Sequence, residues 1–292
     1  MSPLQPLAHL DDLWFQVTGT LCNLRCRHCF ISCSPTNHAF GFLDLPVIER
    51  YLEESARLGV KEYYFTGGEP FLHPHMTEIL ETTLRFGPAT VLTNGTVFHD
   101  ESLRRLRIAE ENSLYSLEFR VSLDGATPAE NDPVRGHGTF ARILAGIGQL
   151  LAHDFLPIVV LAQTKDDQDE ANVFEQMARL LRGIGYARPR VKILPTLRLG
   201  AEVERRRGYL PEERVTEDMM ANYDASNLLC HHSRIVTDRG VMVCPILLES
   251  PGALLGQSLA EACRPIPLDQ PACFTCYQHG AICANASSAP RE

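Results

Sequence analysis

The chain has 292 residues, 45% of them hydrophobic, and 36 acidic against 27 basic side chains leave a net charge of -9. That length supports a sizeable core in one main domain with a small appendage, and the acidic balance argues against broad nucleic-acid binding, which needs clustered positive charge. Residues 1–12 lack the basic start and apolar run of a signal peptide, and no segment reaches the roughly 20 apolar residues of a membrane helix. A cytoplasmic location is therefore expected, in a compartment that keeps the 10 cysteines reduced.

The predicted elements alternate. Strands are expected over residues 14–18, 63–65, 89–92, 117–123, 157–161 and 190–194, with helices over 47–58, 75–84, 101–108, 140–152 and 170–181 between them. Strands of Val, Leu, Ile, Phe and Tyr separated by helical periods predict a parallel sheet covered by helices. Six units fit a curved, open relative of the eight-stranded barrel, which needs about 250 residues when complete. The expected fold class is α/β: a partial (β/α)6 barrel over residues 1–200, a linker over 201–225, and a small cysteine-rich, hairpin-containing extension over 226–292. In such folds chemistry gathers where the carboxyl ends of the strands open on one mouth.

After the first strand comes Cys22-Asn23-Leu24-Arg25-Cys26-Arg27-His28-Cys29-Phe30. Three thiolates on one tight loop are one short of a full ligand set, and a 4Fe-4S cluster held by three residues leaves one iron open for chemistry. Structural zinc and packed thiols are the other readings of such a trio, although the usual zinc pattern begins with Cys-x2-Cys or Cys-x4-Cys and the first gap here is three; Cys33 would have to fold back to serve as a fourth ligand. After the second strand, Gly67-Gly68-Glu69-Pro70 lets the backbone approach a ligand, with Glu69 as an acceptor for an ammonium and Pro70 stiffening the exit; a plain turn is the other reading. Asn94 after the third strand, and Ser122 and Asp124 after the fourth, are able to hydrogen-bond a ribose or a substrate edge, although Asn-Gly and Asp-Gly are ordinary turn formers. Arg135 precedes the helix at 140–152, and Thr196 ends the sixth strand facing the mouth without an assigned task.

Together these motifs resemble the radical S-adenosylmethionine superfamily, whose signature is Cys-x3-Cys-x2-Cys followed by an aromatic, here Phe30, and then Gly-Gly-Glu-Pro after the second strand. The resemblance covers the first two-thirds of the chain. It implies that Cys22, Cys26 and Cys29 hold a 4Fe-4S cluster whose open iron chelates the amino and carboxylate groups of S-adenosylmethionine. Gly67, Gly68, Glu69 and Pro70 would shape the methionine site, and Phe30, Asn94, Ser122, Asp124 and Arg135 would add cofactor contacts, Arg135 near the carboxylate.

The run Arg205-Arg206-Arg207 lies among glutamates and reads as a solvated helix face. The last 63 residues carry Cys230, Cys244, Cys263, Cys273, Cys276 and Cys283. Residues 233–237 and 241–243 flank Asp238-Arg239-Gly240, a hairpin signal that brings Cys230 and Cys244 toward one end, while Cys273-Phe274-Thr275-Cys276 supplies a close pair. Four such thiolates suit zinc or a second 4Fe-4S cluster. The pattern resembles the auxiliary-cluster extension of SPASM or twitch type that follows the radical S-adenosylmethionine core. That resemblance implies one auxiliary cluster on Cys230, Cys244, Cys273 and Cys276, with Cys283 as first substitute and Cys33 and Cys263 as free or packed thiols.

The activity so implied is reductive cleavage of S-adenosylmethionine, hydrogen abstraction from substrate by the 5'-deoxyadenosyl radical, and electron transfer through the auxiliary cluster. A flavodoxin or ferredoxin would be the one-electron donor. Oxidation or coupling of a small molecule is set ahead of modification of a short peptide, because only 21 residues precede Cys22 and none form a leader-binding module. A nucleic-acid-modifying enzyme and a non-enzymatic iron–sulfur or zinc protein rank below both, the latter because a structural site has no need of the Gly67–Pro70 loop.

Overall fold

Period-two alternation of large side chains decides which way each strand faces. The structure, a computed structural model, describes residues 2–164 and 169–280. After the short β1 (Leu4–Gln5), six strands run parallel: β2 (Asp12–Gln16), β3 (Glu62–Thr66), β4 (Ala89–Thr93), β5 (Leu117–Ser122), β6 (Ile158–Gln163) and β7 (Arg190–Pro195). Their connections carry α1 (Leu45–Leu58), α2 (Met76–Thr83), α3 (Asp100–Glu111), α4 (Pro128–Arg135), α5 (Thr139–Ala152) and α6 (Glu170–Gly183). This is the partial (β/α)6 barrel that the alternating pattern predicts.

On β2, Leu13 and Phe15 join the main core, as do Tyr63 and Phe65 of β3, Phe119 and Val121 of β5, and Val159 and Leu161 of β6. The helices meet them through stripes such as Ile48, Tyr51, Leu52 and Ser55 on α1, at the i, i+3, i+4, i+7 spacing of one helical face. Each buried Leu, Ile or Phe of this layer stabilises the fold by about 1.5–3 kcal/mol. The residues between them face the other way. Trp14 and Tyr64 stack at 4.4 Å in a second, smaller cluster with Phe40 and Ile235, on the concave side of the sheet.

Two expectations change at the edges of elements. The first strand spans Asp12–Gln16 rather than 14–18, because the chain turns at Gly19 (φ +54°), whose amide donates to Gln16 O at 3.2 Å. The stretch before α5 is helical, as α4, despite the interior Pro133, with Pro128 in its first turn and Gly136 at its C-cap. Asp132 then caps α5: its carboxylate accepts from Gly138 N at 2.7 Å and Phe140 N at 2.9 Å.

The stretch expected as a linker holds two one-turn helices, α7 (Glu202–Arg205) and α8 (Glu217–Met220). Arg205 and Arg206 do not form a solvated face. They close on the buried Glu202, with Arg205 Nη2 at 2.7 Å and Arg206 Nε at 3.6 Å, while Arg207 pairs with Glu213 at 2.8 Å. The remaining elements are β8 (Ser233–Thr237), β9 (Gly240–Met242), β10 (Leu254–Gly256), α9 (Leu259–Ala262), β11 (Ile266–Pro267) and α10 (Ala272–His279). The hairpin β8–β9 forms where its turn residues predict, and it docks on the barrel. β8 runs parallel to β2, from Asp12↔Ser233 to Phe15↔Val236, giving one nine-stranded sheet in the order β10-β9-β8-β2-β3-β4-β5-β6-β7. Among the described residues no helix is long and apolar enough to cross a membrane.

Candidate active site

A cavity of about 260 Å³ opens at the carboxyl ends of the barrel strands, and Cys22, Cys26, Cys29, Gly67 and Gly68 all line it. The cysteine loop is fixed by backbone pairing: Cys22 N donates to Ser34 O at 3.2 Å, Arg27 N to Val134 O at 2.8 Å, and Ala201 N to Cys29 O at 3.0 Å. Burial pushes the Cys22 thiol up to about 12 and the Cys26 thiol up to about 11. Cys29 moves the opposite way, to about 6, because the Cys33 thiol and the amides of Cys33 and Ile31 donate to it. Cys33 is buried in the same wall, its amide 3.3 Å from Cys29 Sγ, so the chain does fold back to bring a fourth sulfur near the trio.

Gly67 and Gly68 are required by close approach. A Cβ on Gly68 would lie 1.9 Å from Leu21 O, and one on Gly67, at φ +153°, would lie 2.3 Å from Thr18 Oγ1. Glu69 and Pro70 stand behind the wall rather than in it. The Glu69 carboxylate accepts from Thr93 Oγ1 at 2.7 Å, Asn94 N at 2.7 Å and Phe71 N at 3.1 Å, and so locks the ends of β3 and β4 together. Full burial raises it to about 7 against the pull of those donors.

Asn94, Ser122, Phe30, Arg135 and Thr196 line the cavity. Asn94 Nδ2 donates to Asn23 Oδ1 at 2.8 Å and lies 3.8 Å from Cys22 Sγ. Asp124 does not reach the cavity; it is the counter-ion beneath it. Its Oδ2 lies 2.6 Å from Arg135 Nε and 3.0 Å from His28 Nε2, and its Oδ1 accepts from Ala162 N at 2.8 Å. Burial works to raise this carboxyl, and the Arg135 and His28 charges overcome it and hold it well below the usual range. Four further lining residues, Trp14, His28, Arg120 and Lys192, were not singled out from the sequence. Parity was the available signal for Arg120, which stands two residues before Ser122 on β5 and therefore faces the same way.

In the extension, Cys230, Cys244, Cys273 and Cys276 line one small apolar cavity of about 20 Å³. Cys273 and Cys276 share a face of α10 at i, i+3, and Cys244 directly follows β9. Burial raises Cys230 to about 12 and also raises Cys244 and Cys273. Arg234, fully buried, donates to the carbonyls of Cys230 and Ser233 at 2.8 and 2.7 Å and to those of Ala262 and Arg264 at 3.0 Å. Cys263 is exposed, and Cys283 lies outside the described residues.

Fold and site define an α/β partial barrel with three cysteines lining its mouth. The chain matches the model of the Radical SAM superfamily over residues 17–171, more than half its length, and it belongs to that family. It is 31% identical over 166 residues to the antilisterial bacteriocin subtilosin biosynthesis protein AlbA of Bacillus subtilis, covering 56% of this chain and 35% of AlbA. To the mycofactocin maturase MftC of Mycobacterium ulcerans it is 31% identical over 135 residues, covering 46% and 35%. To the GTP 3',8-cyclase of Syntrophomonas wolfei it is 27% identical over 156 residues, covering 50% and 46%. This chain thus spans about a third to a half of the length of these curated relatives. The crystal structure of Streptococcus suis SuiB bound to S-adenosylmethionine superposes with a TM-score of 0.58 at 14% identity, covering 84% of this chain and 63% of that one, a likeness of fold.

The residues fit the family's cofactor pair. Three sulfurs share one wall with the Gly67 and Gly68 backbone, and His28 Nδ1 is a buried polar atom of the same wall without a partner among the described residues.

Proposed function

We propose that this chain is a maturase that modifies a peptide by radical chemistry, with Cys22, Cys26 and Cys29 holding the catalytic 4Fe-4S cluster. The observation that carries the catalytic assignment is the sharing of one cavity by those three sulfurs and the Gly67–Gly68 backbone. When bound, the cluster and S-adenosylmethionine supply one-electron cleavage of a carbon–sulfur bond and a carbon radical able to take hydrogen from substrate. The protein's own contribution is placement and dryness. Gly67 and Gly68 bring backbone groups against the methionine end, Glu69 fixes the loop from behind, and Asp124 aims Arg135 and His28 at the cavity. Asn94, Ser122 and Phe30 supply the remaining contacts along the cofactor.

The peptide reading displaces the small-molecule one because two of the relatives are named a bacteriocin biosynthesis protein and a maturase. Cys230, Cys244, Cys273 and Cys276 are proposed as ligands of one auxiliary cluster, supported by the single cavity that they share. A closed set of four thiolates leaves no open iron, which suits electron transfer, and a flavodoxin or ferredoxin is the proposed donor. The test is anaerobic reconstitution, quantitation of iron and sulfide, and incubation with S-adenosylmethionine, reductant and candidate peptides. Formation of 5'-deoxyadenosine with a peptide mass change is expected, and intact S-adenosylmethionine after full reconstitution would sink the proposal.

A further inference from the structure

The two flanks of the nine-stranded sheet reach the same cavity. In the strand order β7 is the last strand on one side, and β9 is next to last on the other. Leu194, Pro195 and Leu197, at and just after the end of β7, line the reaction cavity, and so do Pro245, Ile246 and Leu248, which follow β9. The curvature of the sheet therefore brings the extension round to the last barrel strand, and apolar segments bound the cavity on both flanks. Among the described residues, the extension meets this cavity only through Pro245, Ile246 and Leu248. Two consecutive turns fix them: Leu247 N donates to Cys244 O at 3.3 Å and Ser250 N to Leu247 O at 3.2 Å. Pro245, at the second position of the first turn, stiffens it. Ile246 and Leu248 are each 3% exposed. Ile246 also lines the small cavity of Cys230, Cys244, Cys273 and Cys276, so one side chain is shared by the walls of both cavities.

The hydrogen-bonding groups of the cavity come from other elements. His28, Asn94, Ser122 and Arg135 belong to the cysteine loop, the ends of β4 and β5, and α4. On the β7 flank, Thr196 Oγ1 donates to Gln163 O at 3.4 Å, and Lys192 is engaged within the protein. Arg120 is engaged too, with Glu118 at 3.2 Å. A polar side chain pressed against Pro245, Ile246 and Leu248 would lose water and gain no side-chain partner from them. An aliphatic or aromatic one gains by leaving water.

We propose that Pro245, Ile246 and Leu248 form the substrate-recognition wall of this cavity and select a peptide whose residue at the reaction site carries an aliphatic or aromatic side chain. This names the substrate class of the maturase proposed above and rests on the reading of the cavity as its reaction site. Ile246 is the specificity-determining residue in this scheme. The side chain it holds is separated from the second cysteine set by the thickness of that one residue.

The test is calorimetric titration of the reconstituted, S-adenosylmethionine-loaded protein with acetylated and amidated Gly-X-Gly peptides in which X is Leu, Phe, Gln or Lys. Saturable binding of the Leu or Phe peptide, about tenfold or more tighter than that of the Gln and Lys peptides, is expected. Ile246→Ala widens the wall and should move the preference from Leu toward Phe by about fivefold or more. Ile246→Asn should remove the preference for apolar side chains. Both variants are compared with the wild type at equal iron content, and Leu248→Asn repeats the polar test if Ile246→Asn fails to fold. Equal binding of the four peptides, saturable binding of none, or a Leu-to-Phe preference unmoved by Ile246→Ala would overturn the proposal. So would binding of the Leu peptide that is present in the cofactor-free protein and lost on loading, because S-adenosylmethionine would then cover the wall itself. Cleavage of S-adenosylmethionine is assayed separately without peptide, so failure of the radical reading and failure of the apolar wall give different results.

Discussion

Asp124 holds Arg135 in place beneath the cysteine loop: their charged atoms lie 2.6 Å apart, both side chains are buried, and His28 joins the same carboxylate oxygen at 3.0 Å. The contact is a buried ion pair, so its worth depends on both charges being present.

Asp124→Asn should therefore leave a buried, uncompensated arginine and lower stability by about 3 kcal/mol or more. The folded carboxyl is held below its unfolded value, so its stabilisation is complete above about pH 4 and is lost only as the pH falls well below that. Thermal melts at pH 7 would show the loss. A change below about 1 kcal/mol would mean that Arg135 finds another partner.

Glu69 behaves with the opposite sign. Its folded carboxyl is raised from 4.5 to about 7, so the fold favours the protonated form. The contribution of Glu69 to the stability of the metal-free protein should be greatest below about pH 4.5, fall as the pH rises to about 7, and be flat above, a swing of at most about 3 kcal/mol. Glu69→Gln should abolish the swing. Denaturant titrations of both proteins from pH 5 to 8 check this, and parallel pH profiles would refute it.

Much of this architecture was legible because the alternation of strand and helix periods is a strong local signal, as in the Leu13–Phe15 and Tyr63–Phe65 pairs. The hairpin at Asp238–Gly240 was equally readable from its turn residues. What could not be read was anything set by packing between distant segments. The docking of β8 on β2 leaves no trace in either strand's own pattern. α4 was hidden because Pro133 inside it is a local breaker that tertiary contacts override, while Pro128 and Gly136 only mark its two ends. At the site, the cysteines and glycines were visible as spaced motifs. Glu69 and Asp124 were visible as residues, but their orientation away from the cavity follows from burial and from donors on β4 and α4.

At the second cysteine set, Cys273→Ser should remove about one cluster's worth of iron and sulfide while the first cluster remains. Metal analysis distinguishes the chemistries: loss of zinc with iron unchanged would identify a structural zinc site, and no loss of either would reject Cys273 as a ligand.

Arg234 offers a sharper test of what those thiols hold. Its guanidinium is spent on four carbonyls, and burial lowers it while the neighbouring Cys230 and Cys244 raise it once they carry charge. A buried cation without a carboxylate partner among the described residues is costly when the four thiols are neutral and favourable when they bind metal as thiolates. Metal loading should therefore stabilise the wild type more than Arg234→Met, measured as the shift in melting temperature between metal-free and reconstituted forms of each. The metal-free variant should also lose Arg234's hydrogen bonds, at about 1.5–3 kcal/mol for each bond to a charged donor, offset in part by the relief of burying that charge. An equal melting shift in both proteins would show that Arg234 only braces the carbonyls and does not sense the charge of the cysteine set.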